Sequence, residues 1–305
     1  MIVLVSGASG LVGTALCQEL CQDGHQVLRL VRRAPTGDDE VRWSTETGIE
    51  NADSLEVDAV VHLAGESIAE GRWTGAKKQR ILESRSKGTR ALCESLTQLK
   101  RRPEVLVSAS AIGFYGDRGQ ETLSEQSSSG SNFVAEVCRE WEAATGSASD
   151  AGIRVVNLRI GVVLAAHGGA LKKMLLPFQL GAGGKLGSGD QYMSWIGLGD
   201  VVGAIRHCIS TRSLSGPVNA TAPGAATNLE YTKTLGRVLG RPTIAPMPAF
   251  AARLVFGQMA DELLLASARV EPTRLEETGY AFRAPELEPC LREALNRPSW
   301  VPSPA

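Results

Sequence analysis

The feature that most constrains the fold is the N-terminal stretch MIVLVSGASGLVG, in which an apolar run ends in three regularly spaced glycines, Gly7, Gly10 and Gly13. The run predicts a buried strand over residues 2–5, followed by a helix over residues 13–21. Glycines between a strand and a helix permit a tight turn, a close approach of the backbone to a phosphate, and close packing of helix on sheet. The stretch therefore predicts a dinucleotide-binding turn, with a purely structural turn as the alternative. The predicted contacts in this turn are Gly7, Ser9, Gly10, Leu11, Val12 and Gly13.

Strand and helix signals alternate through the first half of the chain. Further strands are predicted over residues 26–31, 59–64, 105–108 and 155–158, and helices over residues 77–99 and 133–144. This alternation predicts a Rossmann-type α/β fold, a doubly wound parallel sheet with helices on both faces.

The texture of the sequence changes after Leu164, where glycine-rich and then proline-rich segments begin. We expect residues 1–164 to form the cofactor-binding Rossmann domain, with later returns near 190–222. Residues 165–305 are expected to form mainly a smaller C-terminal lobe for the substrate, whose end from residue 298 is frayed.

Composition narrows the classes of partner. The 305 residues include 32 Lys plus Arg and 33 Asp plus Glu, a net charge of −1, and no long basic run that would attract nucleic acid. No run of about 18 apolar residues is present to span a membrane, and the N-terminus lacks a signal-peptide pattern. The six cysteines are scattered and complete no metal-binding pattern. We therefore expect a cytoplasmic protein with a small-molecule substrate and no metal, nucleic-acid or membrane partner.

The end of the second predicted strand indicates which dinucleotide is bound. NAD sites usually carry an acidic residue there, which accepts hydrogen bonds from the ribose hydroxyls. This chain instead reads LRLVRRAP, in which Val31 is followed by Arg32 and Arg33. Guanidinium groups suit a 2′-phosphate by charge and by paired hydrogen bonds. The sequence predicts NADP, with Val31 and Arg32 as contacts; a solvated basic pair is the alternative.

Motifs in a fixed order extend over nearly the whole chain. They are GASGLVG (7–13), HLAGESI (62–68), RWTGAKKQRILESR (72–85), SASAIGFYG (108–116), FVAEVCREWE (133–142), RIGVVLAAHGGAL (159–171), MLLPFQLGAGGKLGSGDQYMSWI (174–196) and VNATAP (218–223). With them the chain resembles the extended short-chain dehydrogenase/reductases, and more narrowly the atypical "epimerase family" branch called SDR family 39U.

The resemblance implies further cofactor contacts. The backbones of Leu63 and Ala64 would border the adenosine and ribose, Arg85 would point back toward the cofactor, and Val162 would lie in the segment at the nicotinamide end. It also implies that the protein could form a homodimer through sheet-flanking helices, including residues 85–100.

The resemblance implies a catalytic Ser, Tyr and Lys, and here the sequence departs from the pattern. Ser110 matches the serine best, with Ser108 as the nearby option. Phe133 and Val137 stand where the Tyr and the Lys of the Tyr-x-x-x-Lys helix belong. Phenylalanine has no proton to donate, and valine carries no charge to hold a ribose or to perturb a pKa.

Substitutes for the missing pair can be named. Tyr115 follows the serine strand and is predicted to act with Ser110; packing and a hydrogen bond at the strand end are the alternative. Glu66 is a carboxylate candidate. His62 fits a buried, hydrogen-bonded core residue better than a base. Two functions stay open. One is an NADP(H)-dependent oxidoreductase or epimerase-like enzyme acting on a small polar or sugar-like substrate. The other is an NADP(H)-binding sensor or regulatory protein with little or no turnover.

Overall fold

A computed structural model describes residues 1–297; the predicted frayed end, from residue 298, lies outside the described residues. The strands are β1 (Ile2–Ser6), β2 (Gln26–Val31), β3 (Glu40–Ser44), β4 (Gly48–Ile49), β5 (Ala59–His62), β6 (Val105–Ala111), β7 (Thr122–Leu123), β8 (Arg154–Ile160), β9 (Val162–Leu164), β10 (Tyr192–Met193), β11 (Trp195–Gly197), β12 (Gly216–Ala220), β13 (Ala226–Thr227) and β14 (Arg269–Val270). The helices are α1 (Leu11–Gln22), α2 (Gly75–Thr97), α3 (Phe133–Ala143), α4 (Gly146–Asp150), α5 (Gly169–Gln179), α6 (Leu198–Ser210), α7 (Asn228–Leu239), α8 (Ala249–Phe256), α9 (Thr273–Glu277) and α10 (Leu287–Ala294).

Eight strands form the main sheet in the order β12-β8-β6-β5-β1-β2-β3-β4. Its pairings are parallel except that of β4 with β3. The strand order reverses direction at β1, which pairs with β2 on one side and with β5 on the other. Ligands of doubly wound folds bind at this switch point, outside the carboxyl ends of the strands. The predicted Rossmann-type fold is confirmed.

Side-chain alternation along β1 gives the sheet one core on each face. Val3 and Val5 belong to a cluster that includes Leu16 of α1 and residues of α6, whereas Leu4 points the other way into a cluster with Leu92 of α2. Because successive strand residues face opposite sides, a continuous apolar run is what a sheet covered on both faces requires.

The smaller lobe has a core of its own, built mainly from α5, α7 and α10. Leu171, Tyr231, Leu235 and Leu291 are buried in it. The chain does not stay in this lobe, since α6 packs on the first sheet core and β12 pairs with β8. Among residues 1–297, no helix has both the length and the apolar character needed to cross a bilayer.

Candidate cofactor-binding and active site

The glycine turn lies at the switch point, and its three glycines differ in how much room each has for a side chain. Gly7 has φ +70°, and a Cβ there would lie 2.8 Å from the backbone nitrogen of Ala64. A Cβ on Gly13 would lie 2.2 Å from the carbonyl oxygen of Gly7, so only glycine lets α1 approach the turn this closely. Gly10 is different, because its Cβ would meet just one atom within 4 Å, that same carbonyl oxygen at 3.2 Å.

The N-terminus of α1 is suited to an anion. Its N-cap is Gly10, which provides no side-chain cap, and the first N–H groups of a helix have no carbonyl partner within the helix. Ser9 and Gly10 are exposed, and Leu11 and Val12 are half-buried. Unpaired N–H groups and the positive end of the helix dipole together favour a phosphate. The predicted phosphate contacts are therefore brought together in one exposed turn.

A buried hydrogen-bonded chain supports the turn from below. His62 is fully buried, with Nδ1 2.6 Å from the Ser6 hydroxyl and Nε2 3.0 Å from the Thr89 hydroxyl. The Ser6 hydroxyl accepts a hydrogen bond from the Leu63 N–H at 3.2 Å. Burial lowers the pKa of His62 to about 4, so the imidazole is neutral at physiological pH. His62 is a satisfied core residue, as its apolar strand suggested.

The two arginines after β2 have different surroundings. Leu30 pairs with Ser6 in the sheet, so Arg32 stands level with the glycine turn. Arg33 donates two hydrogen bonds to the Glu40 carboxylate, at 2.6 and 2.7 Å. The hydrogen bonds from Arg33 and, to a smaller extent, the hydrogen bond from the Thr36 N–H lower the pKa of Glu40 to about 2. Arg32 is exposed and makes no hydrogen bond or ion pair within the described part of the chain, so its guanidinium is free for a ligand.

The loop after β5 forms the next wall of the site. Leu63 and Ala64 are half-buried and touch the turn at Gly7. Arg85 of α2 reaches under this loop, where its Nη1 donates to the carbonyl oxygen of Glu66 at 3.0 Å and its guanidinium lies 4.8 Å from the centre of the Trp141 ring. Within residues 1–297, Nε and Nη2 of Arg85 have no hydrogen-bond partner.

Val162 is the first residue of β9, which directly follows β8. It is half-buried, and its N–H donates to the carbonyl oxygen of Ser194 at 2.9 Å, at the start of the pairing of β9 with β11. Gly161 beside it has no room for a side chain, since a Cβ would lie 2.8 Å from that carbonyl oxygen.

Ser110 lies in the interior of the protein. Its side chain is buried, and its hydroxyl donates to Glu142 Oε1 at 2.7 Å. Arg159 donates two further hydrogen bonds to this carboxylate, each 2.8 Å long. Glu142 follows Phe133 by nine residues on α3, about 13 Å along a helix axis. The Ser110 hydroxyl thus lies deep under α3 rather than beside Phe133, and Ser108 is fully buried as well.

Tyr115 also lies in the core. It is completely buried, and its hydroxyl donates to Asn219 Oδ1 at 2.7 Å and accepts from Arg159 Nη1 at 3.0 Å. Burial raises the pKa of this phenol. The structure thus places this phenol in a buried hydrogen-bonded network, which fits a packing role.

Phe133 and Val137 stand where the resemblance implies a Tyr and a Lys, and both pack against other side chains. Val137 is buried on α3. Phe133, the first residue of α3, is half-buried and packs edge-on against Trp73 with ring centres 5.4 Å apart. The carboxylate of Glu66 is occupied by Lys77 at 2.7 Å, which lowers its pKa.

Two side chains that the sequence did not single out lie next to Phe133. The Lys78 ammonium lies 4.9 Å from the centre of the Phe133 ring. Glu262, from a π-helical turn at Ala260–Leu264, accepts a hydrogen bond from the Val134 N–H at 2.9 Å. Lys78 belongs to the RWTGAKKQRILESR motif, but nothing in the sequence connects residue 262 with the first turn of α3.

Comparisons with known proteins agree with this geometry. The profile of the NAD dependent epimerase/dehydratase family matches residues 3–219, and a domain of unknown function, DUF1731, matches residues 247–294. Epimerase family protein Mb2239 of Mycobacterium bovis is 43% identical over 97% of this chain and 98% of its own. Human epimerase family protein SDR39U1 is 37% identical over 96% and 99% of the two chains.

The crystal structure of human SDR39U1 (isoform 2) with NADPH has a TM-score of 0.90 to this fold. It is 36% identical in sequence, and the match covers 97% of this chain and all of the human one. A family profile over more than two thirds of the chain, full-length relatives and a matching fold place this chain in the NAD dependent epimerase/dehydratase family, among the epimerase family proteins.

Proposed function

We propose that this protein binds NADP(H), with its phosphates on the glycine turn and its 2′-phosphate on Arg32. The observation that carries the proposal is the contrast between the two arginines: Arg33 is held by Glu40, whereas Arg32 is free and level with the turn. The uncapped helix N-terminus and the free donors of Arg85 suit the same dinucleotide. NADPH in the human relative supports this assignment.

The activity that we propose is NADP(H)-dependent oxidoreduction or epimerisation of a small polar or sugar-like substrate. NADPH, when bound, supplies a hydride. In this chain Glu262 accepts a hydrogen bond from the Val134 N–H in the first turn of α3, and we propose that the segment around Glu262 completes the nicotinamide end of the site. Active sites of this kind gain from such closure because it orients a substrate and excludes water.

A specific observation favours a second function, that of an NADP(H)-binding sensor or regulatory protein with little turnover. The positions of the usual acid and of its supporting cation are Phe133 and Val137, and the hydroxyls of Ser110 and Tyr115 are enclosed in the core. A protein that retains the cofactor site without these groups would signal the state of its cofactor through the lobe.

One experiment separates the two functions. The purified chain is loaded with NADPH, and the nicotinamide absorbance is followed against a panel of aldehydes, ketones, quinones and nucleotide sugars, with sugar epimers resolved separately by NMR. Turnover of any compound supports the enzyme. Tight NADPH binding with no compound converted supports the regulatory protein, and absence of NADPH binding would refute both.

The remaining partners and setting are proposals of the same rank. All six cysteines are free thiols, which suits the reducing, cytoplasm-like compartment that we propose. A homodimer through residues 85–100 stays a prediction, and it would have to bury charged exposed side chains. These are Lys87, Arg90, Glu94 and Lys100. Sedimentation of the purified chain at several concentrations tests it.

A further inference from the structure

Three polar side chains next to Phe133, Lys78, Gln258 and Glu262, form a hydrogen-bonded chain that links α2 to the segment after α8. Lys78 Nζ donates to Gln258 Oε1 at 3.2 Å, and Gln258 Nε2 donates to Glu262 Oε1 at 2.5 Å. The second oxygen of Glu262 accepts from the Val134 N–H at 2.9 Å, at the first turn of α3. The lysine comes from α2, whereas the other two side chains come from the segment that matches the domain of unknown function.

We propose that Lys78 is the proton donor of this site and takes over the task of the tyrosine that Phe133 replaces. This inference rests on the oxidoreductase function proposed above. Its basis is position, because the ammonium lies over the ring of Phe133, on the residue where the donor hydroxyl would otherwise stand. The aromatic face attracts the cation and thereby holds it near the start of α3.

Neighbouring lysines show why Lys78 is the candidate. Lys77 is buried in an ion pair with Glu66 at 2.7 Å, so its protons are committed. Lys173 donates across the cleft to the carbonyl oxygen of Ala69. Lys78 has no carboxylate within ion-pair distance in the part of the chain that the structure describes. One of its three N–H donors is engaged by Gln258, so others are available to a substrate oxygen.

The proposed step balances with NADPH as the reductant. The carbonyl carbon of the substrate accepts a hydride, and the electron pair of the C=O π bond moves to the oxygen. Lys78 gives a proton to that oxygen, which forms the O–H bond of the product alcohol. NADP⁺ and a neutral lysine amine are left, and the amine recovers its proton from water. Donation by a positioned group of this kind contributes about 10²–10⁴-fold in rate.

Gln258 and Glu262 act as positioning residues in this scheme. Glu262 binds the first turn of α3, where a carboxylate is favoured by the free N–H groups and the helix dipole. Through Gln258 it fixes the ammonium of Lys78 relative to Phe133. This gives the C-terminal segment a specific task, since it closes the site and sets the direction of the donor.

The kinetic test replaces Lys78 and uses a lysine of the same helix as its control. With a compound that the panel identifies as a substrate, Lys78→Met is expected to lower kcat at least 100-fold, with KM and the Kd for NADPH changed less than threefold. Lys78→Arg retains the charge and the hydrogen-bond donors, but a guanidinium does not release its proton, so it is expected to recover less than threefold of that loss; full recovery would overturn proton donation in favour of charge alone. Lys87→Met removes an exposed lysine paired with Glu83 and should leave kcat unchanged. Turnover that survives Lys78→Met overturns the donor role while the proposed function stands.

A second measurement does not depend on turnover. Lysines of the wild-type protein are acetylated with and without saturating NADPH, and each site is quantified by mass spectrometry. Bound NADPH should protect Lys78 at least fivefold and leave Lys87 unprotected. Equal labelling of Lys78 in both states overturns the inference. Protection of Lys78 without conversion of any compound in the panel overturns the oxidoreductase function and the donor role together, and leaves NADPH binding in place.

Discussion

Replacing Arg32 by alanine is expected to weaken NADPH binding while leaving NADH binding unchanged. The two cofactors differ by the 2′-phosphate, and Arg32 is the guanidinium that stands free beside the glycine turn. It follows β2 by one residue, and the register of Leu30 with Ser6 places it level with the first residues of the turn. Because Arg32 has no partner within residues 1–297, no existing ion pair has to break before it binds a phosphate.

The size of the effect follows from this freedom. A hydrogen bond to a charged group contributes about 1.5–3 kcal/mol net. Loss of one such guanidinium–phosphate contact therefore raises the Kd for NADPH about 10- to 150-fold. Arg33→Ala is the matched control, since Arg33 is occupied by Glu40 through hydrogen bonds of 2.6 and 2.7 Å. It should change the Kd for NADPH less than threefold and lower the Tm instead.

The assay is a fluorescence titration of wild type and both variants with NADPH and NADH at two salt concentrations. The increase in the Kd for NADPH caused by Arg32→Ala should shrink at high salt because an exposed ionic contact is screened.

The control variant Arg33→Ala is expected to show a pH dependence of its own. Arg33 lowers the pKa of Glu40 to about 2, so the Tm difference between wild type and Arg33→Ala should be full at pH 7. It should then be lost as the pH falls from about 4.5 to 2. Equal weakening of NADPH and NADH by Arg32→Ala would refute this account of the cofactor preference.

Three further variants test the interior of the site. Ser110→Ala removes one hydrogen bond to Glu142 and should cost about 1.5 kcal/mol in urea unfolding, with turnover and NADPH affinity within twofold. Because burial lowers the pKa of His62 to about 4, wild-type stability should fall by about 3 kcal/mol between pH 6.5 and pH 4, a part of the pH dependence that His62→Gln lacks. Gly13→Ala places a Cβ 2.2 Å from a carbonyl oxygen of the turn and should raise the Kd for NADPH more than tenfold, whereas Gly75→Ala, with no atom within 4 Å of its Cβ, should not.

The central strands could be predicted because their physics is local. Apolar runs such as residues 26–31 mark buried parallel strands, and the structure has a strand with those bounds. Strand β3 was not predicted, since its sequence EVRWS alternates charged and apolar residues and the strand is held by pairing with β2 and β4. β12 contains a proline, which weakens any strand signal, and it exists because it completes the sheet beside β8.

The cofactor contacts were more predictable than the chemistry for a related reason. The glycine turn and the start of α1 lie within one short segment, so the spacing of the glycines was enough to predict them, whereas Leu63, Ala64, Arg85 and Val162 were named only through the family resemblance. The surroundings of Phe133 depend on segments more than 100 residues apart, as the hydrogen bond from the Val134 N–H to Glu262 shows. The motif SASAIGFYG did not indicate that Ser110 and Tyr115 are buried, because their hydrogen-bond partners, Glu142 and Arg159, lie on α3 and β8.

The hydroxyls of Ser110 and Tyr115 have a structural role that does not depend on catalysis. Ser110 and Tyr115 are joined through Glu142 and Arg159 into one buried network that links β6, β8 and α3. Removing Ser110 or Tyr115 leaves the Glu142–Arg159 ion pair with one hydrogen bond fewer in the core, which lowers stability. These residues therefore contribute to stability whether or not they contact a substrate. The proton transfer that we propose needs a group with a free donor at the start of α3, and Lys78 of α2 lies there, over the ring of Phe133 and hydrogen-bonded to Gln258.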